Sequence, residues 1–431
     1  MDLVTIGDEI KMKIALVNYR YFISGGPERY LFNIKEILES QGHEVIPFSV
    51  QHKKNVATEY EPFFLSPMGK GDEVYFSDYK KTFKDWVKGF ARMTYSFEAK
   101  RTFKEFLKQV KPDIVYILYF QSKISCSIVD AAYEMNIPVV QRISDYSMIS
   151  PCNILFNPTT LQICEECIKK NSLCAVKNKC IYHSAVYSFV KVLALTIQKF
   201  VGTRKKIKKF IFPSQYTLNK YLEGGYQREK LLYLPTPFND HILRKDLEIK
   251  YEPFALYIGR IDPDKGLETL IKAFIGTDYN LKIIGFSSSV GFQEKLNKKL
   301  EGQKHNIEFL GRMEFSQIQE YLAKCLFTVI PSEWYDNLPN TMLESYAFKK
   351  CVIATDIGSL SENVIHEKTG LLFKYKDALD LRTKIEELFN NEKKAEQMGE
   401  NARILIDNQF NAISHTSKLL KFFEAECRSK K

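Results

Sequence analysis

Apolar positions along the chain switch repeatedly between two spacings. Lys13 to Val17 is an extended apolar run, and after a polar turn Tyr30, Leu31, Ile34, Ile37 and Leu38 recur at the three-and-four spacing of one helix face. Gly42 follows as a stop, and Glu44 to Pro47 begins a second extended run, which makes a βα unit. The alternation continues through a long amphipathic stretch, Phe83 to Val110, a buried-strand pattern at Asp113 to Phe120, a helix near Ile124 to Met135 and a short strand at Pro138 to Gln141. Strand Phe210 to Pro213, a helix through Tyr221 and strand Leu231 to Leu234 close this half. Pro235 to Pro253, with three prolines and mixed charge, reads as a linker. A second series of strands begins at Phe254 to Ile258 and repeats at Leu281 to Gly285, Ile307 to Gly311, Phe327 to Pro331 and Val352 to Thr355. Strands alternating with helices predict parallel sheets covered on both faces, an α/β fold of two Rossmann-like domains. The domains are expected over residues 12–235, with an insert at about 150–185, and over 250–405. A basic helical end, 406–431, is expected to pack back on the first domain. The residues before Lys11 show no period.

Length agrees, since 431 residues are enough for two or three domains and 45% hydrophobic content can fill more than one core. The longest apolar runs, such as Ile114 to Phe120, fall far short of the roughly 20 residues that cross a bilayer. The N-terminus carries Asp2, Asp8 and Glu9 and no apolar leader pattern, so a cytoplasmic location is expected. Lys plus Arg exceeds Asp plus Glu by 62 to 52, a formal charge of +10, which favours phosphates, nucleic acid or an acidic membrane surface without choosing among them. A merely soluble basic protein fits the same charge.

Three motifs fall at strand-to-helix turns. Ser24-Gly25-Gly26-Pro27-Glu28-Arg29 follows the first strand; its glycines admit close backbone approach and the free N–H groups of a helix start favour an anion, although a plain tight turn explains it equally. Tyr257-Ile258-Gly259-Arg260-Ile261-Asp262-Pro263-Asp264-Lys265-Gly266 puts two cations at the carboxyl end of a strand, where open α/β sheets bind ligands. Solvated loop cations remain the alternative. Asp262 and Asp264 fit helix capping better than a metal, which needs more oxygen ligands than two. The third motif, Pro331 to Ser345, is the richest: Asp336 in a polar loop can hold sugar hydroxyls, amides from Asn337, Leu338, Pro339, Asn340 and Thr341 surround a helix start suited to phosphate, and Glu344 near its first turn can accept a ribose diol. A capped helix with a Met342, Leu343, Tyr346 and Ala347 core face accounts for the apolar positions but not for the polar loop.

An acidic residue, seven residues and then Glu, with the earlier Gly-Arg…Lys-Gly and Gly-Gly-x-Glu-Arg, resembles the retaining glycosyltransferases of family 4, from Lys13 to about residue 425. The resemblance implies the GT-B fold, with an N-terminal acceptor-binding domain and a C-terminal nucleotide-sugar-binding domain facing across a cleft. It implies that Arg260 and Lys265 bind the donor diphosphate without a metal or other catalytic cofactor, that Glu344 binds the ribose and that Asp336 contacts the transferred sugar. It places the nucleobase near Gly285 and Gly311, Arg312 and Met313, puts Gly25 and Gly26 beside the donor, and makes Asp145 of Ile143-Ser144-Asp145-Tyr146 a catalytic position. Partners implied are a nucleotide-sugar, UDP-linked foremost, and a saccharide or lipid-linked acceptor in surface polysaccharide, lipopolysaccharide or glycolipid assembly. Another GT-B activity, a nucleotide-sugar hydrolase or epimerase, is the nearest alternative. Asp336 stands where the family usually has Glu, and Ser144 where many members have His near the donor sugar. A serine hydroxyl hydrogen-bonds but carries no charge near neutral pH, so an altered efficiency or donor preference is implied.

Five of the nine cysteines fall between Cys152 and Cys180. Cys164, Cys167, Cys174 and Cys180, with His183 as a substitute, have spacings that permit a structural zinc site; disulfides and free thiols are the rival readings. Next, Lys191, Lys199 and Arg204 to Lys209 interleave with Leu193, Leu195, Phe200 and Ile207, which fits either a solvated helix face or a helix lying on an anionic bilayer. No aromatic-basic module for nucleic acid is present, so a zinc-containing nucleic-acid-binding protein rests on charge and cysteines alone.

Overall fold

The computed structural model describes residues 11–69, 82–287, 289 and 291–428. In the first lobe β1 (Lys13–Val17), β2 (Glu44–Phe48), β3 (Ile114–Ile117) and β4 (Val139–Arg142) precede a two-residue hairpin, β5 (Phe156–Asn157) with β6 (Gln162–Ile163). They are followed by β7 (Lys209–Phe212) and β8 (Leu231–Tyr233). The sheet runs β2-β1-β3-β4-β7-β8 and is parallel throughout. The second lobe holds β9 (Glu252–Ile258), β10 (Asn280–Ile284), β11 (Asn306–Gly311), β12 (Cys325–Ile330), β13 (Val352–Thr355) and β14 (Gly370–Phe373), in the order β11-β10-β9-β12-β13-β14. Every residue of β12 is buried, as a central strand covered by helices on both faces requires. Strand order reverses between β9 and β12, which opens a crevice at their carboxyl ends.

Local chemistry sets the element ends. The amphipathic stretch expected as one helix is two, Phe83–Met93 and Phe97–Val110, because Ser96 leaves the helical path and its side chain accepts from the Ala99 N–H to start the second. The stretch expected as a linker is packed instead. The Phe238 N–H donates to the Phe410 carbonyl at 2.8 Å, and the Phe238 ring joins Ile330, Met342, Tyr346 and Ile406 in one cluster. The chain returns beside this crossing: helix Glu392–Gln409 packs on the second lobe, and helix Ala412–Arg428 lays Leu419, Leu420 and Phe423 against Met12, Ile14, Leu16 and Tyr30 of the first. Among the described residues no helix is long and apolar enough to cross a membrane.

Candidate active site

The loops leaving β9 and β12 are stitched together at the crevice. The Glu333 N–H donates to the Asp264 carbonyl at 2.8 Å. Gly266 ends a short 3-10 turn, Pro263–Lys265, at a φ of +72°, and a Cβ there would lie 1.8 Å from the Pro331 carbonyl oxygen. Only glycine permits that approach. The stitching brings the Lys265 ammonium to 2.8 Å from Asp336 Oδ1 and 4.9 Å from the Trp334 ring centroid. Asp336 is buried; its Oδ2 has no hydrogen-bond partner, while its backbone carbonyl accepts from the Ser359 hydroxyl at 2.6 Å. A buried carboxylate oxygen without a protein donor can accept from a ligand hydroxyl.

Arg260 reaches the same crevice between Asp262 and Asp264, donating to Asp264 at 2.9 Å. Burial pulls its pKa down, but Asp264 and Asp262 more than offset that and leave it above its ordinary value. The capping role expected of Asp262 is not what the fold builds: its side chain makes no cap bond to the 3-10 turn, pairs with Arg260 and accepts from the Ser289 N–H at 3.0 Å.

Beyond these loops, helix Asn340–Ala347 begins at Pro339 with no side-chain cap. Its Glu344 is buried and pairs with Arg29 of the opposite lobe, whose guanidinium lies 4.7 Å from the Phe315 ring. Burial raises the Glu344 pKa, and Arg29 works against that rise. The carboxylate expected at a ribose is therefore held by a cation that sequence reading left without a role, although Arg29 closes the Gly-Gly-x-Glu-Arg motif. Gly25 and Gly26 bring the start of helix Gly26–Ser40 against the same place, with a Cβ on Gly26 falling 2.6 Å from Asn340 Nδ2. Two helix N-termini thus converge on one point of the cleft, each favouring negative charge.

The remaining expected positions divide. Asn337 donates to the Ile143 carbonyl at 3.2 Å and accepts from Thr217, so it ties the loop after β12 to the first lobe; Thr341 donates to the Ile258 carbonyl at 3.2 Å. Leu338 packs at the edge of the Phe238 cluster. The Gly285 N–H donates to the Gly311 carbonyl at 2.9 Å, Arg312 is exposed over the Phe286 ring, and Met313 packs against the cluster of Phe254, Leu256 and Ile284. Asp145 stands on the first lobe, accepting from the Ser147 N–H at 2.9 Å, and its burial raises its pKa against that bond.

Cys164, Cys167, Cys174 and Cys180 are free thiols, and among the described residues no group of three or more His, Cys, Asp or Glu is arranged to hold a metal ion. Cys180 hydrogen-bonds Cys152, a cysteine outside the expected set; the contact pulls the Cys152 thiol below its ordinary range and pushes Cys180 up. In the basic stretch, Lys206 pairs with Asp130 at 2.8 Å and Lys191 donates to the Ser122 hydroxyl, while Val186, Phe189 and Phe200 are exposed.

Residues 239–405 match the family described as glycosyl transferases group 1. An uncharacterized glycosyltransferase of Methanocaldococcus jannaschii is 36% identical over 200 residues, 45% of this chain and 53% of that one. A GalNAc-alpha-(1->4)-GalNAc-alpha-(1->3)-diNAcBac-PP-undecaprenol alpha-1,4-N-acetyl-D-galactosaminyltransferase of Campylobacter jejuni is 28% identical over 42% of this chain and 51% of its own. The chain thus spans about half the length of these curated relatives. An uncharacterized 42.6 kDa protein in the cps region of Klebsiella pneumoniae is 22% identical over 81% of this chain and 87% of its own. Among solved structures, sucrose-phosphate synthase of Thermosynechococcus elongatus superposes with a TM-score of 0.66 at 17% identity, over 96% of this chain and 99% of that one. Anabaena HepE in complex with UDP superposes at 0.62 and 14%, over 96% and 100%. The fold is GT-B.

Proposed function

We propose that this chain, a group 1 glycosyltransferase in its residues 239–405, moves a sugar from a nucleoside-diphosphate donor, UDP-linked foremost, to an acceptor hydroxyl with retention of anomeric configuration. The observation that carries the reading is the Lys265–Asp336 pair at the β9/β12 crevice, with Asp336 Oδ2 left free. The physical bottleneck of such a transfer is charge growing on the departing diphosphate. Lys265 and Arg260 supply two cations for it, and the helix starts at Gly26 and Asn340 add their dipoles, electrostatics fixed before the reaction begins. Both cations pair with carboxylates, Arg260 with Asp262 and Asp264 and Lys265 with Asp336, so donor phosphates exchange one set of anions for another. Asp336 Oδ2 accepts a hydroxyl of the transferred sugar, and Glu344 exchanges part of its contact with Arg29 for the ribose diol. The leaving phosphate takes the proton of the attacking hydroxyl on the same face, so no carboxylate nucleophile is required, and the two cations stand in for a metal.

The acceptor is a saccharide, carried on lipid in the assembly of a surface polysaccharide; the name of the Campylobacter relative and the cps origin of the Klebsiella one support this. The exposed Val186, Phe189 and Phe200 beside Lys199 and Lys205 support a peripheral contact with an anionic membrane there. Mass spectrometry of the purified protein incubated with a panel of nucleotide-sugars and lipid-diphosphate saccharides tests the reading. Transfer should give an acceptor heavier by one glycosyl residue. Free sugar or an isomerised donor with no acceptor product would instead show a hydrolase or an epimerase.

A further inference from the structure

Arg142 ends β4, one residue before the Ile143 carbonyl that meets Asn337 of the second lobe, and is 8% exposed. Its guanidinium donates to Ser144 Oγ at 3.0 Å and to Thr236 Oγ1 at 2.8 Å, and stacks 4.0 Å from the Tyr30 ring centroid. All three partners are neutral, and among the described residues no carboxylate pairs with it. The layer behind is neutral too. His415 Nδ1 lies 2.7 Å from the Pro235 carbonyl, which can only accept, so that nitrogen carries the proton and Nε2 accepts from the Tyr30 hydroxyl. Burial pushes the His415 pKa down to about 3, and the Arg142 charge acts in the same direction.

Other buried cations escape this situation. Arg92 pairs with Glu98, and Lys220 with Glu165 and Glu223. Lys350, bonded to the Lys250 carbonyl and stacked on Tyr251, can shed its proton, and burial lowers its pKa to about 8. An arginine cannot. A buried, permanently charged group with only neutral partners is costly unless an anion joins it.

The position says where that anion comes from. Ile143, between Arg142 and Ser144, accepts from Asn337 of the donor-side loop, and Tyr30 adjoins the Arg29 that holds Glu344. We propose that Arg142 and Ser144 form an anion-binding site that takes a negatively charged oxygen of the donor, either of its distal phosphate or of a carboxylate on the transferred sugar. The inference rests on the nucleotide-sugar reading. Ser144 Oγ, held by Arg142 at 3.0 Å, adds a hydrogen-bonding hydroxyl to that cation.

Calorimetric titration of UDP, UDP-glucose and UDP-glucuronate into the full chain and into Arg142→Gln tests this, with Lys265→Ala as reference. At least a tenfold loss for all three ligands in Arg142→Gln supports the phosphate; the same loss confined to UDP-glucuronate supports the carboxylate. Affinities within twofold of wild type for all three, while Lys265→Ala loses UDP, overturn the inference and leave the nucleotide reading standing. If the wild type binds none of them, both fall. A purely structural arginine would lower the ligand-free melting temperature when changed to Met, whereas a binding arginine held without a counterion predicts an equal or higher one. Should Arg142→Gln not fold, Ser144→Ala carries the same titration and must weaken the same ligands.

Discussion

Changing Gly266 to Ala should break the site while leaving both lobes folded. Two costs are separable. Alanine at a φ of +72° costs about 1 kcal/mol relative to glycine. The added Cβ also meets the Pro331 carbonyl oxygen at 1.8 Å, against an ordinary contact beginning at 3.4 Å, so the two loops must part by about 1.6 Å. Lys265 is the residue before Gly266 and Asp336 lies five beyond Pro331, so a displacement of that size carries the ammonium from 2.8 Å to beyond ion-pair distance. A charge-assisted hydrogen bond is worth about 1.5–3 kcal/mol, and the loss for a phosphate bound between displaced cations should therefore be about tenfold to a hundredfold in UDP affinity. Gly276→Ala is the control: its φ is +81° and nothing lies within 4 Å of the new Cβ, so it bears the conformational cost alone. Calorimetry with UDP should show Gly276→Ala within threefold of wild type and Gly266→Ala at least tenfold weaker. Equal affinities in the two variants would refute the argument that these loops form one site.

Arg29→Met leaves the buried Glu344 without its partner and should lower Tm by about 6 °C at pH 8, taking about 3 kcal/mol for a broken buried pair. The Glu344 pKa is already raised, so protonation favours the folded state, and scans down to pH 5 should show the deficit shrinking; a pH-independent deficit would contradict this. Lys350, fully buried, has a pKa lowered from 10.5 to about 8, so its stabilising contribution is present above the higher value and lost as pH falls through the lower one. The unfolding free energy of wild type relative to Lys350→Met, from denaturant titrations, should rise across that window by up to about 3 kcal/mol, and a flat difference would be the failing result. Phe423→Ala opens a cavity against Tyr116, whose ring centroid is 5.3 Å away, and should cost the first lobe about 3–5 kcal/mol. Limited proteolysis should then cut the first lobe before the second.

The strands and the loop motifs were legible because each depends on residues within about a dozen positions. Lys13–Val17 and Val352–Thr355 stand where the apolar runs predict them, and Arg260, Lys265 and Asp336 come together because the β9/β12 order puts two strand ends side by side. What was not legible depends on pairs far apart in sequence. Arg29 meets Glu344 across 315 positions, and Arg142 finds Thr236 across 94. No spacing announces such pairs. Periodicity also hid the break at Thr94 to Ser96, since the helices on either side present apolar faces in nearly continuous register. The Pro235 to Pro253 stretch has linker composition, yet Phe238 and Leu243 suffice to dock it. The two aspartates beside Arg260 look like caps in sequence and prove to be its counterions.

The central claim, that two cations at the β9/β12 crevice grip a pyrophosphate, is tested most directly by the ratio of UDP to UMP affinity. Wild type should prefer UDP by about a hundredfold or more, because the second phosphate gains charge-assisted contacts with Arg260 and Lys265. The Arg260→Ala, Lys265→Ala double variant should lose at least about tenfold of that preference, the helix starts and Arg142 keeping only the remainder. A wild-type ratio near one, or a preference for UDP undiminished in the double variant, would contradict the account.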